Sequence, residues 1–217
     1  MDSGEDLAII GGSGELPLII KSCFRKAVYI FFNKSKQVAD EQVIYCEFEK
    51  LGLLFEKLNQ NGIRRVVMAG AITRPQFQKS KMDDYTLNLL PKLQTKLAQG
   101  DNELLSFIAD EFEKKGYQIL GASDLVPNLT VGPGFVCGSS YEFFSRDIYK
   151  ADSVLNTLSP EDIGQGVVIE NGLVLGIETL QGTNELLKFV SRTSPHLRMQ
   201  GPGGIFVKRP KAHQDLR

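Results

Sequence analysis

Leu7-Ala-Ile-Ile10 is an unbroken apolar run that ends in Gly11-Gly-Ser-Gly14. A short strand that is apolar on both faces has to be covered on both, which is the pattern of a buried parallel strand with helices above and below it. The stretch up to Gly121 repeats this constraint. A helix is expected over Leu18–Phe24, a strand over Ala27–Phe32 and another over Gln42–Phe48. Leu51, Leu54, Phe55 and Leu58 recur at helical spacing, and Asn61-Gly62 is a helix stop. Ile63–Ala69 is the next strand, helices follow near Tyr85–Leu97 and Glu103–Lys115, and Gln118–Gly121 is a further strand. Strands alternating with helices pair in parallel through right-handed crossovers. The fold class is therefore α/β, with an N-terminal Rossmann-like parallel-sheet domain.

Val126–Gly134 interrupts the alternation with two prolines and two glycines, as a linker does. The expected layout is an N-terminal domain over residues 1–128, a linker over 129–137, and a smaller α/β C-terminal domain over 138–217. In the second part a helix is expected near Arg146–Leu158. Asn171-Gly172 between Gly166–Glu170 and Leu173–Glu178 predicts a tight type I′ hairpin. A helix over Asn184–Val190 follows, with Thr183 as its cap, and then a strand over Gly204–Val207.

Composition closes off several functions. Lys+Arg 25 against Asp+Glu 26 gives a formal net charge of -1, so no basic field invites a nucleic acid. Apolar runs such as Ala27–Phe32 fall short of the ~20 residues of a membrane span. The start Met1-Asp2-Ser3-Gly4-Glu5-Asp6 has no secretory pattern. Three scattered cysteines, Cys23, Cys46 and Cys137, suggest neither a disulfide framework nor a metal site. These features predict a soluble cytoplasmic protein. The nucleophile elbow, His-Glu-x-x-His and Cys-x-x-Cys patterns are absent, and His196 and His213 are the only histidines. A nucleophilic side-chain hydrolase is not supported.

Four segments could carry chemistry. Gly11, Gly12 and Gly14 between a strand and a helix could cradle a phosphate on backbone N–H groups; a turn needing positive φ explains them equally well. Arg74, in Ala69-Gly-Ala-Ile-Thr-Arg-Pro75, should share that sheet edge and could fork onto a diphosphate, or be a surface arginine. Gly100-Asp-Asn-Glu103 reads as a helix start capped by Asp101. Gln165, Glu178, Gly182 and Thr183 bring a carboxylate to a strand exit close to a helix start, which suits a metal with a phosphate, although one such acid is commonly just solvated. The tail Lys208-Arg-Pro-Lys211-Ala-His213-Gln214-Asp215-Leu-Arg217 could screen a pyrophosphate or be an inert basic end.

Taken as spaced blocks, these segments resemble the LpxI-type UDP-2,3-diacylglucosamine pyrophosphatases of lipid A biosynthesis. The blocks are Leu7–Pro17, Ala69–Pro75, Gly100–Leu105, Asp162–Gln165, Gly176–Glu178 with Gly182-Thr183-Asn184, and Val207–Arg217. The resemblance implies two lobes that clamp an acylated UDP-sugar. It also implies Mg²⁺-dependent hydrolysis to UMP and lipid X (2,3-diacylglucosamine 1-phosphate), with water attacking the sugar-side phosphorus. It assigns Asp215, Lys208, Lys211 and Gln214 to catalysis. Gly11, Gly12, Gly14, Arg74, Gln165, Gly182 and Thr183 would bind substrate, and Asp215 with Glu178 would hold the metal. Peripheral association with the inner face of the inner membrane through the lipid substrate, and a homodimer, are compatible with it. Asn102 and Asn184 stand where the family pattern has a second acid. Family members also continue past Gln214-Asp-Leu-Arg217 by roughly a further quarter of the domain. A chain that stops there is expected to be a weak enzyme, or a UDP-sugar or lipid X binder that does not hydrolyse.

Overall fold

The computed structural model describes residues 2–32, 42–72, 77–134, 144–161, 163–198 and 203–210. The chain divides into two units between Gly132 and Pro133.

In the first unit β1 (Leu7–Gly11), β2 (Val28–Phe31), β3 (Val43–Tyr45), β4 (Arg65–Ala69) and β5 (Gln118–Leu120) form one sheet in the order β3-β2-β1-β4-β5. Every pairing is parallel. All five residues of β1 are buried, as a central strand requires. Side chains alternate between the two faces. Ala8, Ile10, Val28, Ile30 and Val66 pack on one side with Leu54, Phe55 and Leu58 of α2 (Leu51–Gln60). Phe112 of α4 (Asp101–Lys114) joins that side, its ring edge-on to Phe55 at 4.9 Å. Leu7, Ile9, Tyr29, Val67 and Ala69 face the other way, toward Ile20 of α1 (Leu16–Cys23). The strand order reverses beside β1, which puts the switch point at the carboxyl ends of β1 and β4, where open α/β sheets take their ligands.

Asp83 ties two helices together. It caps α3 (Asp84–Gln99), accepting from Thr86 N at 2.8 Å, and its other oxygen accepts from Leu53 N in the first turn of α2 at 3.1 Å. Burial opposes the charged form. The hydrogen bonds from Thr86, Leu53 and Gly52 outweigh it and hold the carboxyl below its ordinary value. A depressed folded-state value means that the stabilisation is present above the ordinary carboxylate range and is lost as pH falls through the depressed value. Asp83→Ala should therefore cost about 1–2 kcal/mol near neutral pH. The wild-type and variant denaturation curves should converge as pH falls through and below the depressed value, under the ordinary carboxylate range.

One cap and one strand differ from expectation in this unit. Gly100, at φ 129, occupies the cap position of α4, and Asp101 is the first helical residue. β3 is three residues long rather than spanning Gln42–Phe48, because β2 pairs with it only from Tyr29↔Val43 to Phe31↔Tyr45. A short helix, α5 (Ala122–Leu125), and a 3-10 turn over Pro127–Leu129 lie just ahead of the unit boundary.

In the second unit β6 (Gly166–Glu170), β7 (Leu173–Ile177) and β8 (Ile205–Lys208) form an antiparallel sheet in the order β7-β6-β8. Asn171 and Gly172 have φ of 50° and 80°, the paired positive values of a type I′ turn. Asp147 of α6 (Ser145–Leu158) is buried and accepts from both turn amides, Asn171 N at 2.8 Å and Gly172 N at 2.7 Å. Ala151 and Leu155 of α6 cover Val167 and Ile169. Leu186 and Val190 of α7 (Thr183–Ser191) cover Val168 on the opposite face. The cap of α7 is Gly182 at φ 82, with Thr183 one step inside the helix rather than at the cap.

Candidate functional site

At the switch point of the first unit, the loops after β1 and β4 are zipped together. Gly12 N donates to Ala69 O at 2.8 Å, Ser13 N to Ala71 O at 2.7 Å, and Ala71 N to Ser13 O at 3.0 Å. The Ser13 hydroxyl adds a bond to Ala71 O at 3.1 Å. A Cβ on Gly12 would sit 2.3 Å from Ala71 O, and one on Gly11 would sit 2.0 Å from the Tyr29 phenolic oxygen. These two glycines answer to close approach within the fold. The amides of Gly12 and Ser13 serve the loop seam, so the phosphate cradle expected of this loop has fewer donors than the sequence suggests. Gly14, at φ 101, has open space where a side chain would stand. Arg74 lies outside the described residues.

The second unit gathers four of the residues singled out from the sequence. Glu178 follows directly on β7 and is buried, its side chain 8% exposed. One carboxylate oxygen accepts from Gln165 N at 3.1 Å. The other accepts from the Lys208 ammonium at 3.1 Å and from the Thr183 hydroxyl. Lys208, at the end of β8, also donates to Thr183 Oγ1 at 2.6 Å. Burial would raise the carboxyl's pKa, yet the bonds from Thr183, Lys208 and Gln165 hold Glu178 below its ordinary range. The backbone is shaped around it. Gly164 has φ 50 and a Cβ there would fall 1.9 Å from Glu178 O, while a Cβ on Gly166 would fall 3.2 Å from Glu178 Oε2. Gly164 answers to the Glu178 backbone, and Gly166 answers first to the Phe206 ring, 2.7 Å from where its Cβ would stand.

The arrangement presents a half-exposed cation at the amino end of a helix, which is suited to an anion such as a phosphate. It is less suited to a divalent metal on Glu178, since both oxygens already take N–H or O–H donors and an ammonium stands beside them. Among the described residues no group of three or more His, Cys, Asp or Glu side chains could hold a metal ion. Asp215, Lys211 and Gln214 lie outside the described residues. Arg209, counted with the basic tail, is turned to α6 instead, donating to Asp152 at 2.6 Å and to Asn156 at 2.5 Å. Its own amide bonds Gln165 O at 3.0 Å, which closes the segment onto β8. The i,i+4 pair Asp152 and Asn156 on α6 was the sequence signal for that anchor.

Among the described residues no helix is long and apolar enough to cross a membrane. The LpxI N-terminal domain family matches residues 6–129, and the LpxI C-terminal domain family matches residues 138–217. UDP-2,3-diacylglucosamine pyrophosphatase LpxI of Caulobacter vibrioides is 31% identical over 220 residues, covering 97% of this chain and 79% of that protein. With both domain families matched in order along its length, the chain belongs to the LpxI family.

Proposed function

We propose that the protein hydrolyses the pyrophosphate of UDP-2,3-diacylglucosamine to UMP and lipid X in lipid A biosynthesis. The observation that carries this reading is the match, over nearly the whole chain, to a relative named for that activity. The second unit adds a cluster with the right chemistry for a diphosphate.

In this reading the water oxygen bonds to the sugar-side phosphorus, the bond from that phosphorus to the bridging oxygen breaks, and UMP leaves with the bridging oxygen. The proton lost by water passes to solvent. Lys208 contacts the diphosphate oxygens beside Gly182 and Thr183, where the start of α7 adds a partial positive charge. Lys211 and Gln214 contribute from the tail, and Asp215 orients the water. Asp215 would hold Mg²⁺, which would supply further charge neutralisation on the diphosphate. The two acyl chains bring the protein to the inner face of the inner membrane, and self-association as a homodimer is testable by light scattering.

The reaction run in ¹⁸O-labelled water distinguishes the two phosphorus atoms. Label should enter the phosphate of lipid X and be absent from UMP. Label in UMP would reverse the direction of attack, and tight binding without either product would select the alternative of a UDP-sugar or lipid X binding protein.

A further inference from the structure

We infer that Glu178 is a positioning residue, which locks the Lys208 ammonium against the Thr183 hydroxyl at the start of α7 so that the cation meets a diphosphate already aimed. The inference rests on the reading of Lys208 as a diphosphate contact.

The contrast in burial is the first support. The Glu178 side chain is 8% exposed and that of Lys208 is 43% exposed. The carboxylate is inside and its cation faces out. An ammonium has three donors. Among the described residues two of them are taken, by Glu178 Oε1 at 3.1 Å and Thr183 Oγ1 at 2.6 Å. No other described residue takes the third, which suits it to an acceptor on a ligand.

The second support is the direction of the hydrogen bonds. The Thr183 hydroxyl gives its proton to Glu178 and accepts from Lys208. Lysine donates to threonine, threonine to glutamate, and lysine to glutamate again, which closes a ring with every proton placed. Rings of this kind polarise their members and stiffen one another. A free lysine side chain has about 2 kcal/mol of rotamer entropy to lose on fixing its head. Here that loss occurs on folding rather than on binding.

The third support is the collar around the carboxylate. Gln165 N holds its second oxygen, and Gly164, one residue earlier, packs so closely on the Glu178 backbone that a Cβ there would fall 1.9 Å from Glu178 O. The carboxylate thus has an acceptor geometry set by three elements distant in sequence, the segment before β6, the start of α7 and the end of β8. A residue recruited to a metal would instead need an oxygen facing outward. With Glu178 so committed, removing its charge should loosen the lysine and leave metal affinity as it was.

The test is calorimetric titration with UDP in the presence of a chelator, alongside turnover of UDP-2,3-diacylglucosamine at varied Mg²⁺. Glu178→Gln should weaken UDP binding by about tenfold or more without metal, as expected for the loss of an oriented charge-assisted contact. Its Mg²⁺ concentration for half-maximal turnover should stay within about twofold of wild type. Thr183→Val should weaken UDP binding in the same direction, and Thr183→Ser, which keeps the hydroxyl, should restore it to within about threefold. If Glu178→Gln does not fold, the valine and serine pair decides alone. Unchanged UDP affinity in Glu178→Gln or Thr183→Val, or a raised Mg²⁺ requirement as the sole defect, overturns the inference. Wild type that shows this mutational pattern but releases no UMP would defeat the proposed function and leave the positioning role standing. Turnover by wild type with variants that bind UDP normally would do the reverse.

Discussion

Lys208→Met should lower kcat/KM by roughly 10²–10³-fold, the scale on which an oriented charge on a transferring phosphoryl group acts. On the proposed reading both kcat and KM should suffer, because the ammonium would meet the diphosphate in the ground state and again as charge develops on the leaving oxygen. The variant should also melt earlier. Methionine leaves the Glu178 carboxylate buried without the cation 3.1 Å away, and stranding one member of a buried pair costs more than replacing both. The partial exposure of Lys208 moderates that cost. Combining Lys208→Met with Glu178→Gln removes the stranded charge, so the double variant should recover most of the lost melting temperature and none of the lost turnover. Near-normal kcat/KM in Lys208→Met would remove Lys208 from the substrate site.

Gly164→Ala should be the most damaging single-methyl change in the second unit, at about 2–4 kcal/mol. Two effects act together there: a left-handed backbone at φ 50, and a Cβ position 1.9 Å from Glu178 O. Gly172→Ala provides the control. That turn residue has φ 80 and open space around its Cβ, so it bears the conformational strain alone, at about 1 kcal/mol. Denaturant melts of the two variants separate contact from strain. Equal stability of the two would mean that the wrap of residues 164–166 around Glu178 is not a tight one.

The hairpin and the parallel sheet were legible because each is written in local signals. Asn171-Gly172 demands positive φ at both positions, and the apolar run of β1 demands cover on two faces. The strand order was not legible, since alternation fixes parallel pairing without saying which strand lies beside which. Both misplaced caps have one cause. Asp101 and Thr183 are good capping residues, but each follows a glycine with positive φ, Gly100 or Gly182, which takes the cap position and pushes it one step into the helix. The site was legible as parts. Gln165, Glu178 and Thr183 stood out as one group, and Lys208 apart from them with the basic tail. That Lys208 joins them follows from β6 lying between β7 and β8, a long-range fact that no local spacing contains. Gly11 and Gly12 carried the opposite lesson. Their pattern left a ligand cradle and a structural turn equally open, and the contacts that require them within the fold are Tyr29 and Ala71.

The most direct measurement is UMP release from UDP-2,3-diacylglucosamine by the purified 217-residue protein, with Mg²⁺ and with chelator, for wild type, Asp215→Ala and Lys208→Met. The account predicts equal amounts of UMP and lipid X from wild type, dependence on Mg²⁺, and loss of release in both variants. Folded, monodisperse wild type that binds the substrate and releases no UMP would contradict it.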